Sequence, residues 1–208
     1  MVARRPWLAN RVAWWLIFLA QLGPLAYLVW AVPTHQLGYE PVVDSLRFLG
    51  ETALYLLLIG LAITPLQRLA PRLGVIDYRR MVGLYVFFYA TLHVLLWLVV
   101  DRQLVLAVIW RDVSERVHII FGALAFLMFI ALAVTSTRGW QRRLGRRWQT
   151  LHRLVYPATA LAILHYFLSV KLDTRTPIVL ACLFLLLLLA RPLTHRLGLT
   201  AHQDSRHD

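Results

Sequence analysis

The sequence predicts an all-α membrane protein, a bundle of six transmembrane helices whose termini both lie in the cytoplasm. Of its 208 residues, 60% are hydrophobic and only 15% are charged. Soluble domains contain about 45–50% apolar and about 25% charged residues, so the composition argues against a soluble enzyme. Two further observations support the prediction. Apolar windows of membrane-spanning length recur along the chain, and basic residues concentrate in alternate segments between them.

Six apolar windows define the predicted helices. A helix needs about 20 mostly apolar residues to cross the hydrocarbon layer, where open strands cannot satisfy their backbone groups. The windows are residues 12–32, 46–66, 81–100, 117–135, 151–170 and 176–190. The first begins too late and runs too long for a cleaved signal peptide, so we expect it to be retained. Because the connecting segments are short, we predict one integral membrane domain over residues 1–208.

The distribution of Arg and Lys orients the predicted helices. With the N-terminus inside, sixteen of the 22 basic residues fall in cytoplasmic segments and six in outer segments. Such an alternating excess is typical of cytoplasmic loops. Topology thereby explains the formal net charge of +12, and we expect no nucleic-acid partner. The arginine-rich segment 138–147 is expected to lie at the membrane surface, close to anionic lipid headgroups.

Three histidines lie inside the predicted spans. His93 follows the middle of the third window, His152 opens the fifth, and His165 lies near the outer end of the fifth. Ionisable side chains are costly in a membrane and therefore point to function. A single membrane histidine is as often a packing residue as a ligand. Three of them in two helices, without a neighbouring carboxylate relay, favour a metal or haem site.

The depths of His93 and His165 indicate a pair. Each lies about 13 residues into a helix that runs outwards, which places both roughly 20 Å from the inner surface. Two neutral imidazoles at one depth on parallel helices can bind one haem iron from opposite faces, as in low-spin b-type haems of electron transfer. The sequence contains no Cys-x-x-Cys-His, which excludes covalent c-type attachment. We therefore predict that His93 and His165 are the axial ligands of a haem b iron.

His152 has no equivalent partner. In an ideal helix it would lie about 20 Å closer to the cytoplasm than His165 and about 140° away in azimuth, although Pro157 can kink the helix. Arg79 lies at the same depth on the third helix, and its guanidinium cannot ligate a metal. It can instead pair with a haem propionate or another anion. An inner haem on His152 would therefore need an unconventional second ligand.

Two further polar residues are weaker candidates. His118 begins the fourth window at the outer surface, where an interfacial role is favoured over ligation. Glu51 lies in the outer third of the second window. We expect its carboxylate to reach the interface or to pair with an arginine, with a proton-path role as the alternative.

Several segments resemble those of a known family. They are residues 63–66 (Ile-Thr-Pro-Leu), 79–93, 135–140 (Thr-Ser-Thr-Arg-Gly-Trp), 148–156 (Trp-Gln-Thr-Leu-His-Arg-Leu-Val-Tyr) and 164–166 (Leu-His-Tyr). The chain resembles the haem-binding membrane subunits of bacterial periplasmic methionine-sulfoxide reductase systems, within the ferric-reductase-like transmembrane superfamily. The likeness covers all six windows and is most specific from the third to the fifth.

The resemblance implies an electron-transfer subunit in the bacterial inner membrane. Such subunits take electrons from the quinone pool, with FMN as a candidate cofactor, and pass them through haem b. The acceptor is a periplasmic molybdenum-containing subunit that reduces methionine sulfoxide in oxidised proteins. By resemblance, the haem-binding residues are His93, His152 and His165. The loops are too short for a nicotinamide or flavin domain, so we expect a separate electron donor and no complete catalytic site in this chain.

Arg79 and Arg80 are expected to contact an anionic or polar cofactor group at the inner surface. A haem propionate, a flavin phosphate or a quinone carbonyl would each suit a guanidinium. A purely topological role for the two arginines is the alternative.

Two other functions are compatible with the residues. A stand-alone transmembrane reductase would pass electrons to iron, copper or oxygen. A membrane scaffold without a cofactor would use its histidines only for packing. The visible spectrum of the purified protein separates these hypotheses, because only a haem protein shows sharp reduced-minus-oxidised bands.

Overall fold

The computed structural model describes residues 7–170 and 173–204, and all regular structure within these ranges is helical. The α-helices are α1 (Trp7–Ala20), α2 (Gly23–Ala31), α3 (Pro41–Leu69), α4 (Arg79–Leu95), α5 (Leu106–Glu115), α6 (Val117–Val134), α7 (Arg138–Leu144), α8 (Arg146–His152), α9 (Val155–Ser169) and α10 (Arg175–Asp204). Two 3₁₀ turns precede α4, and a π-helical turn, Leu96–Asp101, extends it. The predicted all-α class is confirmed for the described residues.

Five segments are long and apolar enough to cross a membrane, so this is a multi-pass membrane protein. They are Arg11–Ala31, Pro41–Leu69, Val75–Asp101, Val117–Val134 and Arg175–Pro192. These segments correspond to five of the six predicted windows. The remaining window contains α9, which has 15 residues, fewer than the roughly 20 of an ordinary span. The count of six spans and the cytoplasmic position of both termini therefore stay predictions.

The window 151–170 forms two helices rather than one. Helix α8 ends at His152 and α9 begins at Val155. Pro157 explains the interruption, because its ring clashes with the carbonyl of the residue four positions earlier, Arg153. The chain turns there through short hydrogen bonds, from Leu154 N to Leu151 O at 3.0 Å and from Tyr156 N to Arg153 O at 3.1 Å. His152 and His165 therefore do not share one continuous helix, and the azimuth calculated for an ideal helix does not apply to them.

A second proline divides the first window. Pro24 lies in the first turn of α2, where its ring would clash with the carbonyl of Ala20, the last residue of α1. The fully buried Tyr89 of α4 stabilises the break. Its hydroxyl donates to Gln21 O at 2.6 Å and accepts from Leu25 N at 3.3 Å. Both groups lie at helix ends, where backbone partners are missing.

Helix α5 lies in a segment that was predicted to be an outer loop. It follows the π-helical turn through Gln103 and Leu104, two residues with left-handed φ of 51° and 57°. Ion pairs attach it to its neighbours. Arg102 Nε lies 2.6 Å from Asp112 Oδ2, and Arg116 Nε lies 3.3 Å from Asp112 Oδ1. Because Asp112 is buried, these pairs hold α5 over the end of the bundle.

The core of the bundle lies between two pairs of helices, α3 with α4 and α6 with α9, while α10 packs against α3 and α9. One buried cluster joins residues of all five helices, including Leu57, Val86, Phe129, Ile163 and Leu180. Other apolar side chains point outwards, as expected of surfaces that face lipid. The two helix pairs position the candidate site described next.

Candidate functional site

His93 of α4 and His165 of α9 meet inside the bundle. Their ring centroids are 6.2 Å apart and their planes are almost perpendicular, at 86°. With metal–nitrogen bonds of about 2 Å and ~1.1 Å from ring nitrogen to centroid, two imidazoles on opposite sides of one metal have centroids about 6.2 Å apart. The separation of the two rings thus fits a pair of axial ligands to a single iron.

Two main-chain carbonyls orient the rings. Nδ1 of His93 lies 2.8 Å from Leu46 O, and Nδ1 of His165 lies 2.6 Å from His118 O. A carbonyl oxygen can only accept, so Nδ1 must carry the proton and donate it in both histidines. In the neutral rings this leaves the lone pair on Nε2. A metal-bound histidine typically shows the same arrangement, with its second nitrogen donating to a carbonyl or carboxylate.

A hydrogen bond between side chains joins α3 to α9 beside this pair. The hydroxyl of Tyr166, next to His165 in the chain, donates to Glu51 Oε1. Glu51 was expected to reach the interface or to pair with an arginine. Among the described residues no arginine forms an ion pair with it, and its carboxylate accepts from Tyr166 instead. The hydrogen bond satisfies a half-buried carboxylate within an apolar helix.

His152 lies apart from the histidine pair, at the end of α8. Its ring stacks on Trp148, with centroids 3.9 Å apart, and its Nδ1 lies 3.3 Å from Trp148 O. Its Nε2 is buried and has no hydrogen-bond partner among the described residues. A buried nitrogen without a hydrogen-bond partner is energetically costly, so a ligand that bonds to it would be favoured.

Basic residues surround this second location. Arg79 lies within electrostatic range of both His152 and Arg191. Arg68 Nη1 donates to Arg191 O at 3.1 Å, and the Arg191 guanidinium lies over the ring of Tyr156, 4.6 Å from its centroid. Three helices therefore bring positive charge to one end of the bundle. Arg80 is exposed, as is Arg79, so both guanidinium groups are accessible to an anionic group.

Two main-chain groups of this site, the carbonyls of Leu46 and His118, were not predicted from the sequence. His118 was expected to have a merely interfacial role, yet its carbonyl orients His165, and its ring centroid lies 5.7 Å from that of His165. Leu46 contributes in the same way to His93. Every residue has a main-chain carbonyl, so the residue type does not show which carbonyl accepts a hydrogen bond. The composition and the spacing of ionisable residues could therefore not reveal these two acceptors.

The fold and the paired histidines define a class: multi-pass helical membrane proteins with a two-histidine centre inside the bundle. Residues 49–163 match the family described as ferric reductase like transmembrane component. The protein-methionine-sulfoxide reductase heme-binding subunit MsrQ of Caulobacter vibrioides is 42% identical over 185 residues, 88% of each chain. The subunit of the same name from Xanthomonas axonopodis pv. citri is 43% identical over 179 residues, 83% of this chain and 82% of the relative. The chain therefore belongs to the ferric-reductase-like transmembrane family, within its MsrQ group.

Proposed function

We propose that this protein is the b-haem electron-transfer subunit of a methionine-sulfoxide reductase system in the bacterial inner membrane. Electrons would enter from the quinone pool, with FMN as a candidate carrier, and leave to a periplasmic molybdenum-containing catalytic subunit that repairs oxidised proteins. The names of the MsrQ relatives support haem binding and the link to methionine-sulfoxide reductase. The observation that carries the proposal is the 6.2 Å pairing of His93 and His165.

The residues of the pair suit a haem in three respects. Their Nε2 atoms would hold the iron from opposite sides, because both Nδ1 atoms are engaged with carbonyls. Those carbonyls fix the tautomer and the orientation of each ring, which limits rearrangement on ligation. The surrounding apolar side chains of the core would exclude water. When bound, haem b supplies reversible one-electron transfer.

The basic end of the bundle would serve electron entry. We assign it to the cytoplasmic side, because sixteen of the 22 basic residues fall in the segments placed inside by a six-span arrangement. His152 presents a buried nitrogen there, and Arg79 and Arg80 present guanidinium groups that can bind a propionate, a flavin phosphate or a quinone carbonyl. In this arrangement α9 is a short span of 15 residues.

The visible spectrum of the full-length protein in mild detergent tests this proposal. We expect sharp reduced-minus-oxidised haem b bands in the wild type and loss of the low-spin spectrum in His93→Ala and in His165→Ala. His118→Ala is the matched control, because it removes a nearby imidazole but keeps the carbonyl that orients His165.

Each outcome of this experiment is decisive. A wild-type protein without haem overturns the proposal and favours a cofactor-free scaffold. Full low-spin haem in either ligand variant overturns the pairing. Oxygen consumption on addition of a quinol analogue would contradict the proposed transfer to a protein partner and favour a stand-alone reductase.

A further inference from the structure

The first half of the site combines three residues in a defined order. His93 of α4 donates to Leu46 O of α3, and Gly50 follows Leu46 by four residues. The histidine follows the carbonyl by 47 residues. A Cβ atom at Gly50 would lie 3.3 Å from His93 Nδ1 and 3.4 Å from its Cε1. These distances are tighter than nine in ten real contacts of a Cβ atom, so the ring would have to move slightly.

The second half repeats this order on α6 and α9. His165 donates to His118 O, Gly122 follows His118 by four residues, and the carbonyl and the histidine are again 47 residues apart. A Cβ atom at Gly122 would lie only 2.7 Å from Nδ1 of His165 and 3.1 Å from its Cγ. Any side chain at position 122 would therefore displace the imidazole ring.

Helix geometry explains why the glycine follows the carbonyl by four residues. In an α-helix the carbonyl of residue i accepts from the N–H of residue i+4, and a side chain at i+4 lies beside that hydrogen bond. A glycine at this position leaves the second lone pair of the oxygen accessible from outside the helix. A histidine on the neighbouring helix can then approach closely and donate Nδ1–H to it.

The same relation is visible in the sequence. Residues 49–53, Leu-Gly-Glu-Thr-Ala, align with residues 121–125, Phe-Gly-Ala-Leu-Ala, at an offset of 72 residues (122 minus 50). At the same offset, residues 90–93, Ala-Thr-Leu-His, align with residues 162–165, Ala-Ile-Leu-His. The aligned alanines Ala53 and Ala125 are both buried. Glu51 and Tyr166 depart from the repeat, because the equivalent positions are Ala123 and Val94. The hydrogen bond between Glu51 and Tyr166 joins the two halves.

We infer that Gly50 and Gly122 are positioning residues for the paired histidines, and that the site consists of two copies of one unit. Each unit pairs a glycine-bearing helix with a histidine-bearing helix, α3 with α4 and α6 with α9. The glycine leaves a carbonyl accessible, the carbonyl sets the tautomer and the plane of the ring, and Nε2 is left with its lone pair available to a ligand. The identity of the group bound there rests on the proposed function, whereas the ring positions do not.

Alanine substitutions in the full-length protein test this inference. Gly122→Ala and Gly50→Ala add one methyl group beside the rings. Gly60→Ala on α3 and Gly83→Ala on α4 are matched controls, because a Cβ atom would meet Val82 Cγ1 at an ordinary 3.5 Å in the first and nothing within 4 Å in the second. Haemin is titrated into each apoprotein, and the low-spin ferric signal is recorded by electron paramagnetic resonance.

We expect the loss of affinity to follow the contact distances. Changing groups that orient a metal ligand typically costs about 10–100-fold in affinity, so Gly122→Ala should weaken haemin binding about tenfold or more. Gly50→Ala should weaken it less, and both should shift the low-spin signal, which depends on the angle between the ring planes. Gly60→Ala and Gly83→Ala should match the wild type. Equal losses in all four variants, or unchanged binding and signal in folded Gly122→Ala, would overturn the inference.

A measurement without haem separates this inference from the proposed function. In the apoprotein labelled with ¹⁵N-histidine, the ring nitrogen shifts report which nitrogen carries the proton. We expect the Nδ1–H form for His93 and His165 in the wild type, and its loss for His165 alone in Gly122→Ala and for His93 alone in Gly50→Ala. Should Gly122→Ala fail to fold, the milder Gly50→Ala decides the matter. A wild-type protein that shows these tautomers but binds no haemin would contradict only the proposed function.

Discussion

At the scale of single residues, hydrogen bonds decide what His93, His165, Glu51 and Tyr166 can do. Each imidazole donates Nδ1–H to a carbonyl on a neighbouring helix, and a bond of this kind contributes about 0.5–1.5 kcal/mol. In the proposed function the contribution would be larger than this energy suggests, because the same bond determines which nitrogen is left for a metal. The Glu51–Tyr166 pair differs in that it places no ligand and instead ties α3 to α9.

We predict that Tyr166→Phe lowers stability but keeps the haem. The substitution removes the hydroxyl that satisfies a half-buried carboxylate, which should lower the free energy of unfolding in detergent by about 1–3 kcal/mol. Glu51→Gln is the control, because its amide oxygen can still accept from Tyr166 and the loss should be smaller. Haem per protein should equal that of the wild type in both variants. Haem loss in Tyr166→Phe at unchanged stability would show that the tyrosine has a direct role at the ligands.

At the scale of helices, two prolines interrupt the predicted spans and thereby determine where nearby polar groups lie. Pro157 separates α8 from α9, so His152 is not held in the helical register of His165. Its ring instead stacks on Trp148 and leaves Nε2 buried. Pro24 divides the first span in the same way, and Tyr89 satisfies the freed backbone groups. A break in a membrane helix is tolerated where a neighbouring helix supplies such a partner.

We predict that His152→Ala slows electron entry without removing the low-spin haem at His93 and His165. His152 stands at the basic end of the bundle, near Arg79, whereas the paired histidines and their carbonyls do not involve it. The measurement is the rate of haem reduction by a quinol analogue, compared with reduction by dithionite, which needs no donor site and should be unaffected. If His152→Ala loses all haem while His93→Ala retains it, His152 is a primary axial ligand and the proposed pair is wrong.

At the scale of the whole molecule, the arrangement of charge supports the membrane orientation on which the proposed path of electrons depends. Basic residues dominate the segments 138–153 and 68–80, while the opposite end carries the ion pairs of Arg102, Asp112 and Arg116. In the orientation that we propose, with the excess of Arg and Lys in the cytoplasm, the His93–His165 centre would lie in the outer half. That position suits an electron acceptor outside the cytoplasm.

We predict that the end with α5 faces the periplasm and that the C-terminus is cytoplasmic. In a Cys182→Ala background, Ser114→Cys in α5 should react with a membrane-impermeant maleimide in intact spheroplasts. Gly139→Cys, in the arginine-rich segment, should react only after permeabilisation. Both positions are exposed, so burial does not bias the comparison. A C-terminal fusion to alkaline phosphatase should be inactive, and an active fusion would contradict the cytoplasmic C-terminus, as expected if α9 does not cross the membrane.

The amino-acid sequence by itself determined the helical membrane class and singled out His93, His152 and His165. Hydropathy and charge act over about 20 consecutive residues, so a window of sequence contains the whole signal. The tertiary structure decided the rest. The carbonyls of Leu46 and His118 lie 47 residues from the rings they orient, and Glu51 lies 115 residues from Tyr166. Contacts at such separations depend on which helices pack together, and helix packing depends on the shapes of whole surfaces rather than on any local pattern.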